Sequence, residues 1–449
     1  MKKNNLKIML VLAKDNIYKY DSPHKRKYYP QITLLTLESL IDEKYNADVT
    51  IIDEGVEKWD ATSKKYADEK FDLICISSVI SASKRAKEIS KYWNGKGAYV
   101  VIGGHYATAL TEEAKKYFDT VMVGPAEISF PEFLEDFVNN APKKEYFKPV
   151  GNDYKYRPLN RKLLKNKKYY KNFGTIVANN GCPNRCSYCS INKMYSGKNQ
   201  RKRIDTVIDE IRGNKYKKWI FYDPNFLADR NYAKELLNKI IQLKKSEKKG
   251  LKWTASATIN IGNDLEILEL MKKFGCIGLV IGLESFVQEN LDGVNKKFNN
   301  VKEYKKLVKT IQSYGISVLA TLMIGMETDT VESIREIPNI IQEIGVDIPR
   351  YNVITPYPGT PFFEQLKREG RLLTEDWFYY DTETVVFKPK NMSSDTLQKE
   401  FYKLWIDTFT FKRILRRVKT SRNKGLKFIL EMFSRQHALK FGKYKKVKF

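Results

Sequence analysis

The stretch GTIVANNGCPNRCSYC, residues 174–189, joins a short apolar segment to three closely spaced cysteines. Its first residues are mostly apolar or β-branched, which is typical of a buried strand. Cys182, Cys186 and Cys189 follow with the spacing CxxxCxxC. Pro183 and its polar neighbours indicate a tight loop rather than a helix or strand. A loop of this length can wrap three thiolates around one iron–sulfur cluster.

Other uses of three cysteines explain the spacing less well. A structural zinc site needs four ligands, usually as two separated pairs, and no fourth Cys or His lies nearby in sequence. A redox CxxC pair leaves the third cysteine unexplained, and the odd total of five cysteines argues against a disulfide scaffold. We therefore expect Cys182, Cys186 and Cys189 to bind a [4Fe–4S] cluster whose fourth iron is open to a ligand.

Alternating strand and helix patterns surround the cysteine loop. Strand candidates occupy residues 174–178, 219–222, 253–259, 277–283, 317–324 and 350–355. Apolar residues at helical spacing lie between them. This alternation predicts a partial (β/α)6 TIM-like barrel, with the cysteines after its first strand, where such barrels place their chemistry. Cys276 begins the fourth strand at the opposite end and is not expected to join the site.

The first 142 residues alternate in the same way. Strand candidates are residues 6–12, 48–53, 71–79, 98–103 and 120–123. The pattern predicts a doubly wound, Rossmann-like parallel sheet, whose ligands lie beyond the carboxyl ends of the strands. The polar stretch 14–27 and the glycine-containing loops 103–105 and 124–127 fall at those ends. No GxGxxG follows the first strand, so a dinucleotide is not expected.

The formal net charge of +27 is concentrated in two stretches. Residues 143–171 contain eleven Lys and Arg against two acidic residues, and residues 411–449 contain fourteen against Glu431 alone. Such stretches suit nucleic acid, acidic peptides or phosphate, but no aromatic-interleaved nucleic-acid motif accompanies them. We favour a solvated surface and do not expect a nucleic-acid partner.

The composition also bounds the domain organisation. We predict a Rossmann-like domain at residues 1–142, a basic linker at 143–172, a barrel at 173–365 and a basic, mixed or helical C-terminal region at 366–449. No apolar run is long enough to span a bilayer, and we expect a cytoplasmic protein.

The cysteine loop resembles that of the radical S-adenosylmethionine enzymes, with Tyr188 as the aromatic residue of CxxxCx(aromatic)C. The resemblance implies that the open iron chelates the methionine part of S-adenosylmethionine. One electron from a low-potential donor, of flavodoxin or ferredoxin type, then cleaves the sulfonium. The products are methionine and a 5′-deoxyadenosyl radical that abstracts hydrogen.

Further motifs agree with this resemblance. Asp223 and Asn225 match an Asp-x-Asn-Phe pattern after the second barrel strand. Gly282, Glu284 and Ser285 match a Gly-x-Glu-Ser pattern after the fourth strand, where relatives meet the amino group or ribose of the cofactor. Tyr188 and these five residues are expected to bind S-adenosylmethionine. For Asp223 and Asn225, hydrogen bonds that cap their own loop are an alternative to cofactor binding that the sequence favours equally.

A doubly wound domain ahead of such a barrel resembles the subclass with an N-terminal cobalamin-binding domain. The residues that carry this resemblance, and that are expected to contact cobalamin, are Gly103, Gly104, His105, Gly124 and Glu127. No histidine lies in Asp-x-His-x-x-Gly, so the lower face of cobalamin is expected to be free. Pro125 and Ala126 depart from the usual Glu-Gly of the second motif. For His105, local hydrogen bonding is an equal alternative.

The resemblance implies methyl transfer from cobalamin to an unactivated carbon. The basic surface favours an anionic small molecule or a peptide as substrate. Two alternatives stay open. One is a radical rearrangement or oxidation without functional cobalamin, and the other is a nucleic-acid-binding cluster protein. RNA methylthiolation is disfavoured, because those relatives have three further cysteines in the first domain and only Cys75 is present there. The sequence identifies no acid, base or radical-relay residue.

Overall fold

The computed structural model describes residues 5–15, 31–57, 60–149, 151, 158–164, 173–214, 216–246, 250–419 and 424–441. The chain divides into two units. The first comprises Met1–Pro183, Cys189–Lys218 and Asp376–Tyr379, and the second comprises Asn184–Tyr188, Trp219–Glu375 and Tyr380–Phe449. Most of the predicted polar stretch 14–27 and much of the predicted linker lie outside the described residues.

A six-stranded parallel sheet organises the first unit. Its strands are β1 (Lys7–Leu12), β2 (Asp48–Asp53), β3 (Leu73–Ser77), β4 (Tyr99–Gly103), β5 (Thr120–Met122) and β6 (Glu145–Tyr146). They lie in the order β2-β1-β3-β4-β5-β6, so the order reverses between β1 and β3. The central strands are continuous apolar runs because both faces of a parallel sheet are covered. Cys75 lies buried in β3.

Helices cover this sheet. They are α1 (Thr33–Ser39), α2 (Ser83–Asn94), α3 (His105–Ala109), α4 (Thr111–Ala114) and α5 (Ser129–Val138). In α5, Phe130, Phe133 and Phe137 share one face at helical spacing and are buried in the core beneath β4 and β5. The apolar spacing of the sequence thus fixes which face of the helix packs on the sheet.

The rest of the first unit flanks the cysteine loop. It contains β7 (Gly174–Ile176), β8 (Asn179–Gly181), α6 (Ile191–Tyr195), β9 (Asn199–Arg201) and α7 (Ile204–Arg212). Strands β8 and β9 pair antiparallel, and the sequence analysis did not predict this hairpin. Gly181 adopts φ +77°, and a Cβ there would lie 2.0 Å from the carbonyl oxygen of Lys198, so only glycine fits.

Five parallel strands run through the second unit. They are β10 (Lys218–Phe221), β11 (Lys252–Ala257), β12 (Cys276–Glu284), β13 (Ser317–Ile324) and β14 (Ile348–Val353). Each lies beside the next in chain order, which is the arrangement of a β/α barrel wall. Their carboxyl ends share one edge, and Asp223, Glu284 and Met326 follow or end three of these strands there.

The helices of the second unit alternate with its strands and then continue to the C-terminus. They are α8 (Arg230–Ser246), α9 (Leu265–Phe274), α10 (Gln288–Gly293), α11 (Tyr304–Ser313), α12 (Val331–Ile344), α13 (Pro361–Arg368), α14 (Ser394–Thr408), α15 (Phe411–Lys419) and α16 (Lys424–Phe441). Side-chain oxygens of Asp264, Thr330, Thr360 and Ser393 cap the first turns of four of them. None of the described helices is both long and apolar enough to cross a bilayer.

The predicted α/β class, with a doubly wound first sheet, a second parallel sheet and a helical C-terminal extension, is confirmed. The predicted domain boundaries remain predictions. Within the predicted linker, residues 145 and 146 form β6 at the edge of the first sheet.

Candidate active site

The cysteine loop begins one residue after β8 and ends two residues before α6. Cys186 is buried, whereas Cys182 and Cys189 are partly exposed. Backbone contacts within the second unit hold the middle of the loop, because Ser187 N donates to Val294 O at 3.0 Å and Phe362 N donates to Ser187 O at 3.1 Å. The loop is therefore fixed at its centre, as a rigid ligand set requires.

The donor chemistry of this loop fits a cluster better than a single ion. Within the described ranges, no three His, Cys, Asp or Glu side chains converge to hold one metal ion. A [4Fe–4S] cube binds each thiolate to a different iron, so its ligands stay further apart than those of a mononuclear site. Three thiols and no nearby histidine in the loop are a soft donor set of the kind that iron–sulfur clusters use.

A buried ion pair lies where β12 ends. Lys296 Nζ donates to Glu284 Oε1 at 2.8 Å, and the Tyr188 hydroxyl donates to the same oxygen at 3.2 Å. Lys296 Nζ also lies 3.4 Å from the Tyr188 hydroxyl. Two predicted site residues, Tyr188 and Glu284, are thus in direct contact. Lys296 was not predicted from the sequence, because it lies in a loop rich in Lys and Asn that resembles ordinary surface.

Backbone geometry places the Glu284 carboxylate. Glu284 adopts φ +65°, which is strained for a residue with a side chain, and the pairing of β12 with β13 shifts register beside it. The carboxylate turns back over Gly282, where a Cβ would lie 2.1 Å from Glu284 Oε1 and 2.8 Å from Lys296 Nζ. Gly282 therefore makes room for the ion pair, and strain of this kind is typical of functional sites.

Polar side chains support this strand end. Asn299 Nδ2 donates to Gly282 O at 3.0 Å, and the Tyr304 hydroxyl donates to Leu283 O at 2.8 Å. These bonds give the carbonyls of Gly282 and Leu283 side-chain donors at the irregular end of β12.

Ser285 belongs to a separate network at the ends of β12 and β13. Its hydroxyl accepts from Val287 N at 3.0 Å and from Asn290 Nδ2 at 3.4 Å. Asn290 Nδ2 also donates to Asp329 Oδ1 at 2.7 Å, and Asp329 Oδ2 accepts from two backbone N–H groups. Burial raises the pKa of Asp329 to about 6, although these donors oppose the shift. The network fixes the loop that follows the Glu284 strand end.

Asp223 and Asn225 follow β10, at the same edge of the sheet as Glu284. Both are buried. Asn225 Oδ1 accepts from Leu227 N at 3.2 Å, which is the local capping geometry that the sequence left open as an alternative. Phe226 N donates to Ser256 O at 2.8 Å and ties this loop to the end of β11.

In the first unit, two glycine loops meet at the carboxyl ends of adjacent strands β4 and β5. Gly104 adopts φ +91°, and a Cβ there would lie 2.8 Å from Ser78 O. The Thr108 hydroxyl donates to Gly104 O at 2.9 Å and accepts from Gly124 N at 2.9 Å, so it bridges both loops. The sequence analysis did not single out Thr108. Gly103 ends β4, and His105 is the first residue of α3, where burial lowers its pKa.

These loops contact the elements on either side of the cysteines. The Thr108 hydroxyl lies 3.5 Å from Met194 Sδ on α6, and Asn180 Nδ2 on β8 donates to Glu127 Oε1 at 3.4 Å. Burial raises the pKa of Glu127, and the charge of Lys202 opposes that shift. The residues expected to contact cobalamin are therefore joined, within one unit, to β8 and α6, which bracket the cysteine loop.

Comparisons with known proteins agree with this arrangement. The sequence profile described as the Radical SAM superfamily matches residues 176–340. Bacteriochlorophyllide d C-12(1)-methyltransferase of Chlorobaculum tepidum is 28% identical over 398 residues, which are 86% of this chain and 84% of that protein. Hopanoid C-2 methylase of Rhodopseudomonas palustris is 26% identical over 363 residues, and the alignment covers 78% of this chain and 66% of that protein.

Solved structures show a similar fold. The radical S-adenosylmethionine methyltransferase TsrM of Kitasatospora setae, solved with cobalamin and a [4Fe-4S] cluster, superimposes with a TM-score of 0.67 at 17% identity, covering 82% of this chain and 78% of TsrM. OxsB, a cobalamin-dependent S-adenosylmethionine radical enzyme, superimposes with a TM-score of 0.72 at 12% identity, covering 97% of this chain and 71% of OxsB. At these identities the likeness concerns the fold.

Proposed function

We propose that the chain, whose residues 176–340 match the Radical SAM superfamily, transfers a methyl group from cobalamin to an unactivated carbon by radical chemistry. The observation that carries the proposal is the contact, inside the first unit, between the β4 and β5 loops and the elements that bracket the cysteines. Relatives named as methyltransferases also align across both the first unit and the barrel strands.

The proposal requires three cofactors, which are a [4Fe–4S] cluster, S-adenosylmethionine and cobalamin. Cys182, Cys186 and Cys189 would hold the [4Fe–4S] cluster. Once bound, the cofactors supply one-electron cleavage of S-adenosylmethionine and methyl transfer from cobalamin. The proposed cobalamin contacts are the two glycine loops, including His105, whose lowered pKa keeps its imidazole neutral near pH 7.

The residues at the end of β12 would bind S-adenosylmethionine. Glu284 Oε1 already accepts one ammonium and one hydroxyl hydrogen bond, from Lys296 and Tyr188. The methionine amino group and the ribose hydroxyls of S-adenosylmethionine present the same donor types. Glu284 is therefore the proposed acceptor, while Gly282 leaves the space that its carboxylate needs. Burial of this corner limits the access of water, which would strengthen each of these contacts.

The substrate is proposed to be a small molecule. TsrM has been solved with tryptophan, and the two relatives named above are called methyltransferases of bacteriochlorophyllide and hopanoid. A flavodoxin- or ferredoxin-type protein in the cytoplasm is the proposed electron donor, and a net charge of +27 favours contact with an acidic partner of this kind.

Anaerobic reconstitution of the full chain with iron, sulfide and hydroxocobalamin tests the proposal. We expect one cobalamin per chain, visible by its absorption, and release of 5′-deoxyadenosine under strong reductant. With labelled S-adenosylmethionine, the label should reach protein-bound cobalamin. Release of 5′-deoxyadenosine by protein that binds no cobalamin would instead favour a radical rearrangement or oxidation.

A further inference from the structure

The C-terminal helices expose an apolar and basic surface that the proposed reaction does not use. We propose that α15 and α16, named here the C-terminal hairpin, bind the surface of an anionic lipid bilayer. This inference is independent of the proposed function, because it concerns residues outside both cofactor regions.

The solvent face of α16 is apolar. Among residues of α16 whose side chains the structure describes, the exposed ones are Gly425, Ile429, Leu430, Phe433, Gln436 and Leu439, and none is charged. Phe433 retains 64% of its surface exposed and Ile429 retains 53%. A helix on the surface of a globular protein normally presents charged residues on its outer face. The outer face of α16 is instead suited to an apolar medium.

The neighbouring helix α15 supplies the positive charge. Its exposed residues are Phe411, Lys412, Leu415, Arg416 and Lys419, which fall on one face at helical spacing. Phe411 also packs edge-on against Phe428 of α16, so the two helices are in contact. An apolar surface bordered by Lys and Arg suits a membrane interface, where apolar side chains enter the bilayer and basic side chains meet the headgroups.

Buried ion pairs hold the hairpin and leave its exposed charge wholly positive. Glu431 is the only acidic residue among residues 411–449, and it is fully buried against Arg417, with N···O distances of 2.7 and 2.8 Å. Lys427 Nζ pairs with Asp347 Oδ1 at 3.2 Å and attaches α16 to the end of the barrel wall. The patch is therefore presented by a fixed part of the second unit.

Charge and composition favour a bilayer over other partners. A symmetric pairing of two copies would bring the same basic residues together, which is unfavourable. Nucleic acid would leave the exposed aliphatic side chains of Ile429, Leu430 and Leu439 without a partner, since aliphatic side chains do not stack on bases as aromatic rings do. An anionic bilayer satisfies both features, because apolar side chains enter the interface while Lys and Arg meet the headgroups.

Flotation of the reconstituted full chain with lipid vesicles tests this inference. We expect binding to vesicles containing phosphatidylglycerol, weak binding to pure phosphatidylcholine, and partial release by salt. Replacing Ile429 and Phe433 by Ser, or Lys412, Arg416 and Lys419 by Glu, should weaken partitioning at least about tenfold. Leu265→Ser and K306E/K309E alter exposed residues of α9 and α11 and should bind like the unaltered chain.

Melting temperatures of the variants establish that each remains folded. Three results would overturn the inference: no binding to anionic vesicles, equal loss of binding in the α9 and α11 controls, or vesicle binding that is unchanged when Ile429 and Phe433 are replaced. A dimer that becomes monomeric in the Ile429/Phe433 variant without any vesicle binding would assign the patch to a second copy instead. Salt-sensitive RNA binding in place of vesicle binding would assign it to nucleic acid.

Discussion

Lys296 Nζ lies 2.8 Å from Glu284 Oε1, and both side chains are about nine-tenths buried where β12 ends. A buried ion pair is costly to break from one side, because the remaining charge stays in a medium of low dielectric constant. The same carboxylate is the proposed acceptor for S-adenosylmethionine. This pair therefore links the stability of the strand end to the binding of the cofactor.

Removing one partner of this pair should destabilise the protein. Lys296→Met should lower the free energy of unfolding by about 3 kcal/mol, because Glu284 is left buried and unbalanced. The double variant with Glu284→Gln should recover much of the loss, since both charges are then gone. Urea unfolding of the apoprotein is measured for Lys296→Met, for Glu284→Gln and for the double variant.

An exposed ion pair provides the control. Lys305 and Glu343 approach to 2.9 Å at the surface, and Lys305→Met should cost less than about 1 kcal/mol. Equal losses for Lys296→Met and Lys305→Met would contradict the importance of burial at β12. An additive double variant at Glu284 and Lys296 would contradict their coupling.

Adding one methyl group at Gly282 should weaken the binding of S-adenosylmethionine. A Cβ at this position would lie 2.1 Å from Glu284 Oε1, so the carboxylate must move. We expect the dissociation constant for S-adenosylmethionine to rise at least about tenfold in Gly282→Ala, with the iron content unchanged. Gly278→Ala is the matched control. Gly278 lies on the same strand as Gly282, but the nearest atom to its added Cβ would be Ser317 O at 3.5 Å. A tenfold loss of affinity for S-adenosylmethionine in Gly278→Ala, or no loss in Gly282→Ala, would contradict this interpretation.

The buried carboxyl of Asp329 should make stability depend on pH. Its pKa is raised to about 6, chiefly by burial, so the folded state binds this proton more tightly than the unfolded state. The contribution of the protonated group is present below about pH 4 and is lost as the pH rises to about 6. The stability difference between the unaltered protein and Asp329→Asn should therefore fall over that interval. A difference that grows with pH would show that the folded carboxyl is preferentially ionised.

Thr108 should be a positioning residue for cobalamin. Thr108→Val keeps the shape of the side chain but removes both hydrogen bonds that join the β4 and β5 loops. Cobalamin affinity should fall about tenfold, while cluster assembly is retained. Thr111→Val, which loses one bond to Ala107 O within the helical segment, is the control. If equilibrium titration gives both variants the affinity of the unaltered protein, the bridge has no role in binding.

Much of the fold was predictable because its strands are rich in apolar and β-branched residues. Residues 48–53 and 317–324 are strands with the predicted bounds. The hairpin β8–β9 was missed, since Asn179–Gly181 and Asn199–Arg201 contain none of the β-branched or aromatic residues that indicate strands. Helix α15 was not singled out either, although Phe411, Ile414, Leu415 and Val418 have helical spacing.

The site was predictable to the extent that its chemistry lies in short motifs. The radical SAM assignment, based on the three cysteines and Tyr188, is confirmed by the superfamily match over residues 176–340. Lys296 and Thr108 were not predictable, because each acts through a contact distant in sequence. Lys296 and Glu284 are twelve residues apart, and they meet where Glu284 adopts a left-handed backbone conformation that the sequence does not reveal.

The central claim is that three thiolates hold the cluster on which the proposed reaction depends. The most direct test is to replace Cys182, Cys186 and Cys189 by Ala and to measure bound iron and 5′-deoxyadenosine after anaerobic reconstitution. Cys276→Ala, at a buried cysteine that begins β12, serves as the control and should behave like the unaltered chain. We expect the triple variant to lose both cluster absorption and 5′-deoxyadenosine release. Retention of iron together with continued cleavage of S-adenosylmethionine would contradict the account.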